Sequence, residues 1–186
     1  MKRRTILVLL ALVVLVLGSS YASAYEQWGT LWAGQNSIAG YFHVFTTGTG
    51  LRITINPQSG WKITESHVAV HTSPANIPQN KNGNPRPGHF TWSQKSAPTT
   101  IPHKYTIPYS EIEGGLIPGV TYTLYIAIHA VVFQTDSFGC IIQDETAWGG
   151  PCYEDWSPGD PLPYPFVKLS TNRWGYYFEF EVTVPL

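Results

Sequence analysis

Residues 121–133 read TYTLYIAIHAVVF, and this stretch decides the fold. It is rich in β-branched and aromatic residues, which pack well on a pleated sheet. It contains no glycine, no proline and no residue charged while His129 is neutral. A segment that is apolar on both faces indicates a central strand covered on both sides.

Side chains alternate along such a strand, so residues 121–133 have two different faces. One face carries Tyr125, Ala127, His129 and Val131, and the other carries Leu124, Ile126, Ile128, Ala130 and Val132. His129 therefore lies in the middle of an apolar strand. A buried imidazole needs a hydrogen-bond partner, so we expect another polar group beside it.

The first 24 residues have the pattern of a signal peptide. Basic residues at 2–4 precede an apolar run at 6–17, and Ala-Ser-Ala at 22–24 gives the small-x-small pattern of a cleavage site. The run is shorter than the roughly 20 residues that span a bilayer. We expect a mature chain beginning near Tyr25, secreted or on the cell surface, without a membrane span after cleavage. An uncleaved N-terminal anchor is the alternative.

Composition indicates an exported β domain. The 186 residues include 7 Trp, 11 Tyr and 17 Gly, and only 12% are charged. The chain has 11 basic and 12 acidic residues, and the leader accounts for three of the basic ones. No basic stripe is visible, which argues against a nucleic-acid partner. We expect one domain over 33–186, with 25–32 as an N-terminal arm or edge strand.

Further strands are predicted wherever β-rich runs end at turn signals. The two long segments 72–100 and 134–168 lack periodicity, and the expected fold is a single antiparallel β-sandwich, Greek-key in topology, with two long irregular loops. The predicted strands are 39–47, 51–56, 61–71, 103–108, 121–133 and 174–184.

The chain contains two cysteines, Cys140 and Cys152. In an exported protein their spacing favours a disulfide that closes a short loop, with a stabilisation of about 3 kcal/mol. The alternative, a pair of metal-binding thiolates, lacks the paired C-x-x-C spacing of such sites.

A group of polar side chains is expected near His129. Glu65 and His67 share one face of the predicted strand 61–71, and Glu145 follows in the next loop. Together with His129 they could bind a divalent metal, zinc or calcium, with an open position. We favour a hydrogen-bonded network that fastens the long loop to the sheet, and assign no catalytic residue.

Five tryptophans are candidates for a surface that binds a ligand or a partner. Seven tryptophans are many for the interior of a domain of this size, and exposed aromatic rings suit sugar rings or other proteins. The alternative is that large rings form small satellite cores under the long loops. The candidates are Trp28, Trp32, Trp92, Trp148 and Trp156.

Several motifs in one order along the chain resemble those of a family of exported bacterial and archaeal β-sandwich domains with no settled function. The resemblance implies a secreted or cell-surface module and no particular reaction. The motifs are AGQ at 33–35, W at 61 with TESH at 64–67, NKNGNPRPGHF at 80–90, YIAIHAVV at 125–132, ETAWG at 145–149 and WGYYF at 174–178.

Three functions follow as expectations. The first is a structural or adhesive surface module that self-assembles by adding its 25–32 arm to a neighbour's open sheet edge. The second is a carbohydrate-binding module that uses surface tryptophans. A metal-dependent or carboxylate hydrolase is less favoured. The expected partners are copies of the chain, other surface proteins or a polysaccharide.

Overall fold

A computed structural model describes residues 25–154, 156–157, 160–169 and 175–186. The expected signal peptide 1–24 lies outside these residues, as does Trp174. In the described ranges, helical structure is limited to three short 3-10 turns, and no helix is long and apolar enough to cross a membrane. The strands are β1 Glu26–Ala33, β2 Ser37–Thr46, β3 Gly50–Pro57, β4 Trp61–His71, β5 Trp92–Thr99, β6 His103–Pro108, β7 Thr121–Thr135, β8 Ile141–Gly150, β9 Phe166–Lys168 and β10 Tyr176–Thr183.

The predicted central strand is β7, which is 15 residues long and pairs with three others. One edge pairs with β4 along most of its length. The other edge pairs with β10 over its first half and with β8 over its second half. The prediction of a central strand covered on both sides is confirmed.

All strand pairs are antiparallel, and the path through the sheet is β5-β4-β7-β8-β1-β2-β3-β6. The prediction of an all-β antiparallel fold is confirmed. The sheet curls on itself and brings its two terminal strands, β5 and β6, close together. Ser96 of β5 contacts His103 of β6, and His103 also contacts Ser66 of β4. The curled sheet is close to a barrel in form.

Two apolar clusters lie on opposite faces of β7. The main core is enclosed by the curled sheet and includes Leu124, Ile126 and Ile128. The second cluster lies on the outer face, where Ala127 packs with aromatic rings from the chain around 77–90 and 148–169. Both faces of β7 are therefore covered in its middle part, residues 124–132, each by a different set of residues.

The segment 25–32 is not a mobile arm, because it forms a strand. It is an edge strand only in its first half, since its second half has a neighbour on both sides. As β1 it pairs with β2 along its whole length and with β8 over residues 30–33. The two irregular segments also contain strands that the sequence analysis missed, namely β5 in 72–100 and β8 and β9 in 134–168. Pro98 fits in β5 because an edge strand can spare an N–H.

No disulfide joins Cys140 to Cys152, and this prediction is wrong. The residues between them form β8, a ten-residue strand rather than a loop. A strand of that length separates its ends by roughly 30 Å, whereas a disulfide needs Cα atoms within about 7 Å. The two cysteines flank opposite ends of one strand.

Candidate functional site

His67 and His129 form a buried pair on the outer face of the sheet. They lie opposite each other on β4 and β7, and their Nδ1 atoms are 3.3 Å apart. Glu65 Oε1 lies 2.9 Å from His67 Nε2 and 3.0 Å from the ammonium nitrogen of Lys95. A carboxylate can only accept, so His67 donates from Nε2 and accepts at Nδ1 from the N–H of His129.

The environment keeps both imidazoles neutral. Burial, reinforced by the nearby His67, lowers the pKa of His129 to about 3. Burial also lowers the pKa of His67, although Glu65 opposes this shift. The hydrogen bond from Lys95 lowers the pKa of Glu65 and keeps it ionised. The chain of hydrogen bonds therefore has one fixed polarity, from His129 through His67 to Glu65.

Glu145 does not join this group. It pairs opposite Val132, whereas Trp148 pairs opposite His129, so Glu145 lies on the other face of the sheet. In the described parts of the chain, no three His, Cys, Asp or Glu side chains are placed to hold a metal ion. The structure thus brings together Glu65, His67 and His129, and does not form the four-residue zinc or calcium site.

Aromatic rings cover the histidine pair. The ring of Trp148 packs edge-on against His129 at 4.9 Å, and Phe90 from the long loop packs against Trp148 at 6.3 Å. His67 and His129 are 6% and 7% exposed. Through these ring contacts the long loop packs over the sheet and covers the histidine pair.

A second buried polar group was not expected from the sequence. Ser66 Oγ lies 2.7 Å from His103 Nδ1 and 2.6 Å from the hydroxyl of Tyr105, and His103 Nε2 lies 3.1 Å from Ser96 Oγ. Burial lowers the pKa of His103 and raises that of Tyr105. Ser66 is fully buried, so this group ties β4, β5 and β6 together and closes the curled sheet.

Glu113 forms a third polar group with the start of the long loop. Its carboxylate accepts hydrogen bonds from the Thr72 backbone at 3.1 Å, from Asn76 at 2.7 Å and from His71 at 2.9 Å, and it also contacts the Thr72 hydroxyl. Burial alone would raise the pKa of Glu113, but these donors lower it to about 2.

Most of the five candidate tryptophans do not form a surface. Trp32, Trp148 and Trp156 belong to the second apolar cluster and are at most 6% exposed. Trp92 is half-buried against the main core. Trp28 is 50% exposed. The long loops cover the other candidate tryptophan rings, which therefore belong to the interior and not to a binding surface.

Trp28 belongs to an aromatic surface on the outer face of β1 and β2. Its ring stacks on His43 at 3.7 Å with an interplanar angle of 6°, and His43 stacks on Phe45 at 5.0 Å. Tyr41 continues the row along β2 and contacts Tyr153 at 6.2 Å. We call Trp28, Tyr41, His43, Phe45 and Tyr153 the aromatic strip.

Polar side chains border the aromatic strip. Glu26 bonds His43 at 3.0 Å, and on β3 the residues paired with the strip are Arg52, Thr54 and Asn56. Aromatic faces next to hydrogen-bonding groups suit ligands that have both apolar and polar sides. The strip is not evident from the sequence, because Tyr41, His43 and Phe45 alternate with core residues and β2 is therefore apolar on both faces.

Comparison with known proteins finds no matching family model, no similar curated protein and no similar solved structure. The resemblance to exported β-sandwich domains therefore stays a prediction. The function must be inferred from the geometry itself.

Proposed function

We propose that this chain is an exported, non-catalytic module that binds carbohydrate through the aromatic strip and so acts as an adhesive domain at the cell surface. The observation that carries this proposal is Trp28, half exposed and stacked flat on His43. The C–H face of a sugar ring packs well on such an indole, while its hydroxyls bond to neighbouring polar groups.

Two features support a non-catalytic role. The Glu65–His67–His129 group is covered by aromatic rings, and Ser66 beside His103 is fully buried. The export part of the proposal rests on the leader pattern of residues 1–24.

The test is retention of the purified protein on insoluble polysaccharides, such as cellulose, chitin and cell-wall preparations. Trp28→Ala should abolish retention, because it removes the exposed ring. Tyr164→Ala is the matched control, since Tyr164 is 84% exposed and lies outside the strip. Retention of the Trp28→Ala protein at the level of the native chain, on a polysaccharide that binds it, would contradict the proposal.

A structural, self-assembling subunit is a second candidate, supported by a different feature. The hairpin between β7 and β8 exposes three large apolar side chains, Phe138, Ile141 and Ile142, at 90%, 62% and 60%. Grouped exposed apolar side chains of this kind mark protein interfaces. Size-exclusion chromatography of Phe138→Ser beside the native chain over a range of concentrations tests this candidate, which predicts that the variant loses the assembled form.

A further inference from the structure

A groove of about 290 Å³ lies between β1 and β10. It is separate from the aromatic strip, although Glu26 borders both. A strand edge runs along each side of this groove. The lining residues are Tyr25, Glu26, Gln27, Tyr164, Pro165, Glu179, Phe180 and Glu181.

On the β1 side of the groove, no described strand pairs with the edge of β1 before Thr30. β1 pairs with β2 along its whole length, but β8 reaches only residues 30–33. The carbonyl of Tyr25 accepts from Thr46 on the β2 side. Hydrogen-bonding direction alternates along a strand, so the backbone of Glu26 is directed to the groove.

The β10 side has a second such edge. β10 pairs with β7 over residues 178–183, while on its other edge β9 reaches only residues 176–178. One more hydrogen bond follows, from the Glu179 N–H to the Pro165 carbonyl. By the same alternation, the next groups directed to the groove are the backbone N–H and carbonyl of Glu181.

The chain cannot fill this position itself with the residues that precede β9. Residues 161–165 read PLPYP, and proline has no N–H to donate to a strand ladder. Among the described residues, no strand therefore pairs with this edge of β10 beyond the Glu179–Pro165 hydrogen bond, alongside residues 180–181.

Side chains give the groove an apolar floor and an acidic rim. Phe180 is buried in the main core and Tyr25 packs against it. Glu26, Glu179 and Glu181 are on the outer face and are at least partly exposed. In the part of the chain that the structure describes, no lysine or arginine lines the groove.

We propose that the groove binds an extended polypeptide segment of a partner protein, in line with β9, with alternating apolar and basic side chains. The backbone of such a segment pairs with the open edges of β10 and β1. Its apolar side chains face Tyr25 and Phe180, and its basic side chains face the three carboxylates. The alternative role of the carboxylates is to guard an open edge against aggregation.

The test is fluorescence anisotropy with a labelled, end-capped heptapeptide of alternating valine and lysine, titrated with the full chain. We expect saturable binding that weakens with salt. Glu181→Lys should weaken it by about five- to tenfold. Glu111→Lys is the matched control, because Glu111 is exposed and does not line the groove. A peptide with proline at its central position should bind less, because it lacks a backbone donor.

Results of three kinds would overturn the proposal. One is the absence of saturable binding by the valine–lysine peptide. Another is an equal loss of affinity in the two charge-reversal variants, or equal binding of the proline peptide. The third is self-association of the Glu181→Lys protein with unchanged peptide affinity, which would identify the carboxylates as guards of the edge. Thermal melts of both variants verify that each is folded.

Discussion

His67 and His129 face each other across β4 and β7, and one imidazole donates a hydrogen bond to the other over 3.3 Å. Two protonated imidazoles at this distance would repel each other in a buried setting. Folding therefore selects the neutral form of both rings, and the stability of the fold depends on pH.

We expect the free energy of unfolding to fall as pH drops from about 6.5 towards 3. In this range His129 is protonated in the unfolded chain but stays neutral in the folded one. The folded pKa of His129 is lowered to about 3, so its stabilising contribution is complete above the unfolded pKa of about 6.5. At pH 5 the loss from His129 is about 2 kcal/mol. His67 and His103, whose pKa values are also lowered by burial, add to it.

Urea unfolding at pH 7.5 and pH 5 measures this difference. His129→Asn should reduce the change in unfolding free energy between the two pH values, whereas the exposed His89→Asn should leave it as in the native chain. An equal pH dependence of the native and His129→Asn proteins would rule out this account.

Glu113→Gln should loosen the start of the long loop. The substitution removes the charge that accepts hydrogen bonds from Thr72, Asn76 and His71, at a cost of about 1–3 kcal/mol. The native contribution is present above pH 4.5 and is lost towards pH 2, since the pKa is lowered to about 2. Hydrogen exchange at the Thr72 amide is the measurement. Glu111→Gln serves as the control, and equal exchange in the two variants contradicts the prediction.

Gly29→Ala should destabilise the fold severely. A Cβ atom at this position would lie 2.3 Å from the ring of Phe42 and 2.5 Å from the carbonyl oxygen of Gly150. Both neighbours are in the interior of the sheet, and we expect a loss of about 3 kcal/mol or more. Gly48→Ala meets no atom within 4 Å, so the two alanine variants should differ clearly in thermal melting. Similar melting temperatures would show that the sheet yields at Gly29.

The two cysteines should be chemically independent. Cys140 is exposed and should react readily with an alkylating reagent without prior reduction. Cys140→Ser should leave the unfolding free energy unchanged, whereas loss of a disulfide would cost about 3 kcal/mol. Mass spectrometry of denatured, unreduced protein should show two alkylated thiols, and a species with none would refute the prediction.

Strands with strong local patterns were predictable to the residue. The predicted ranges 61–71 and 103–108 coincide with β4 and β6. A turn at Ser59-Gly60 precedes β4, and β6 alternates and ends at Pro108. The two faces of β7 also followed from period two alone. These features depend only on residues that are close together in the sequence.

Strands that depend on their neighbours were missed. The first half of β8 is IIQDET, which is largely exposed, and it is a strand because β7 extends beyond β10 and offers it an edge. β5 is polar and lies at the end of the sheet path. The apolar periodicity of β5 and of the first half of β8 is weak, because at most one face of each is packed against other residues.

The candidate sites divide in the same way. The spacing of Glu65 and His67 placed them on one face, and a polar His129 in an apolar strand indicated that it has a hydrogen-bond partner. Both could be predicted from the sequence. The position of Glu145 required the register of β7 with β8, in which a shift by one residue exchanges the faces. Ser66 and His103 meet because the sheet curls until its terminal strands approach, which no local pattern encodes.

The place of β1 in the sheet also bears on how the chain folds. The indole of Trp32 donates to the carbonyl of Pro151, a residue 119 positions further along the chain. Bringing such distant segments together costs conformational entropy of the chain, and this cost comes before the contacts that offset it have formed. We therefore expect this protein to fold slowly for its size, because β1 acquires its second neighbour, β8, only when most of the polypeptide has been made.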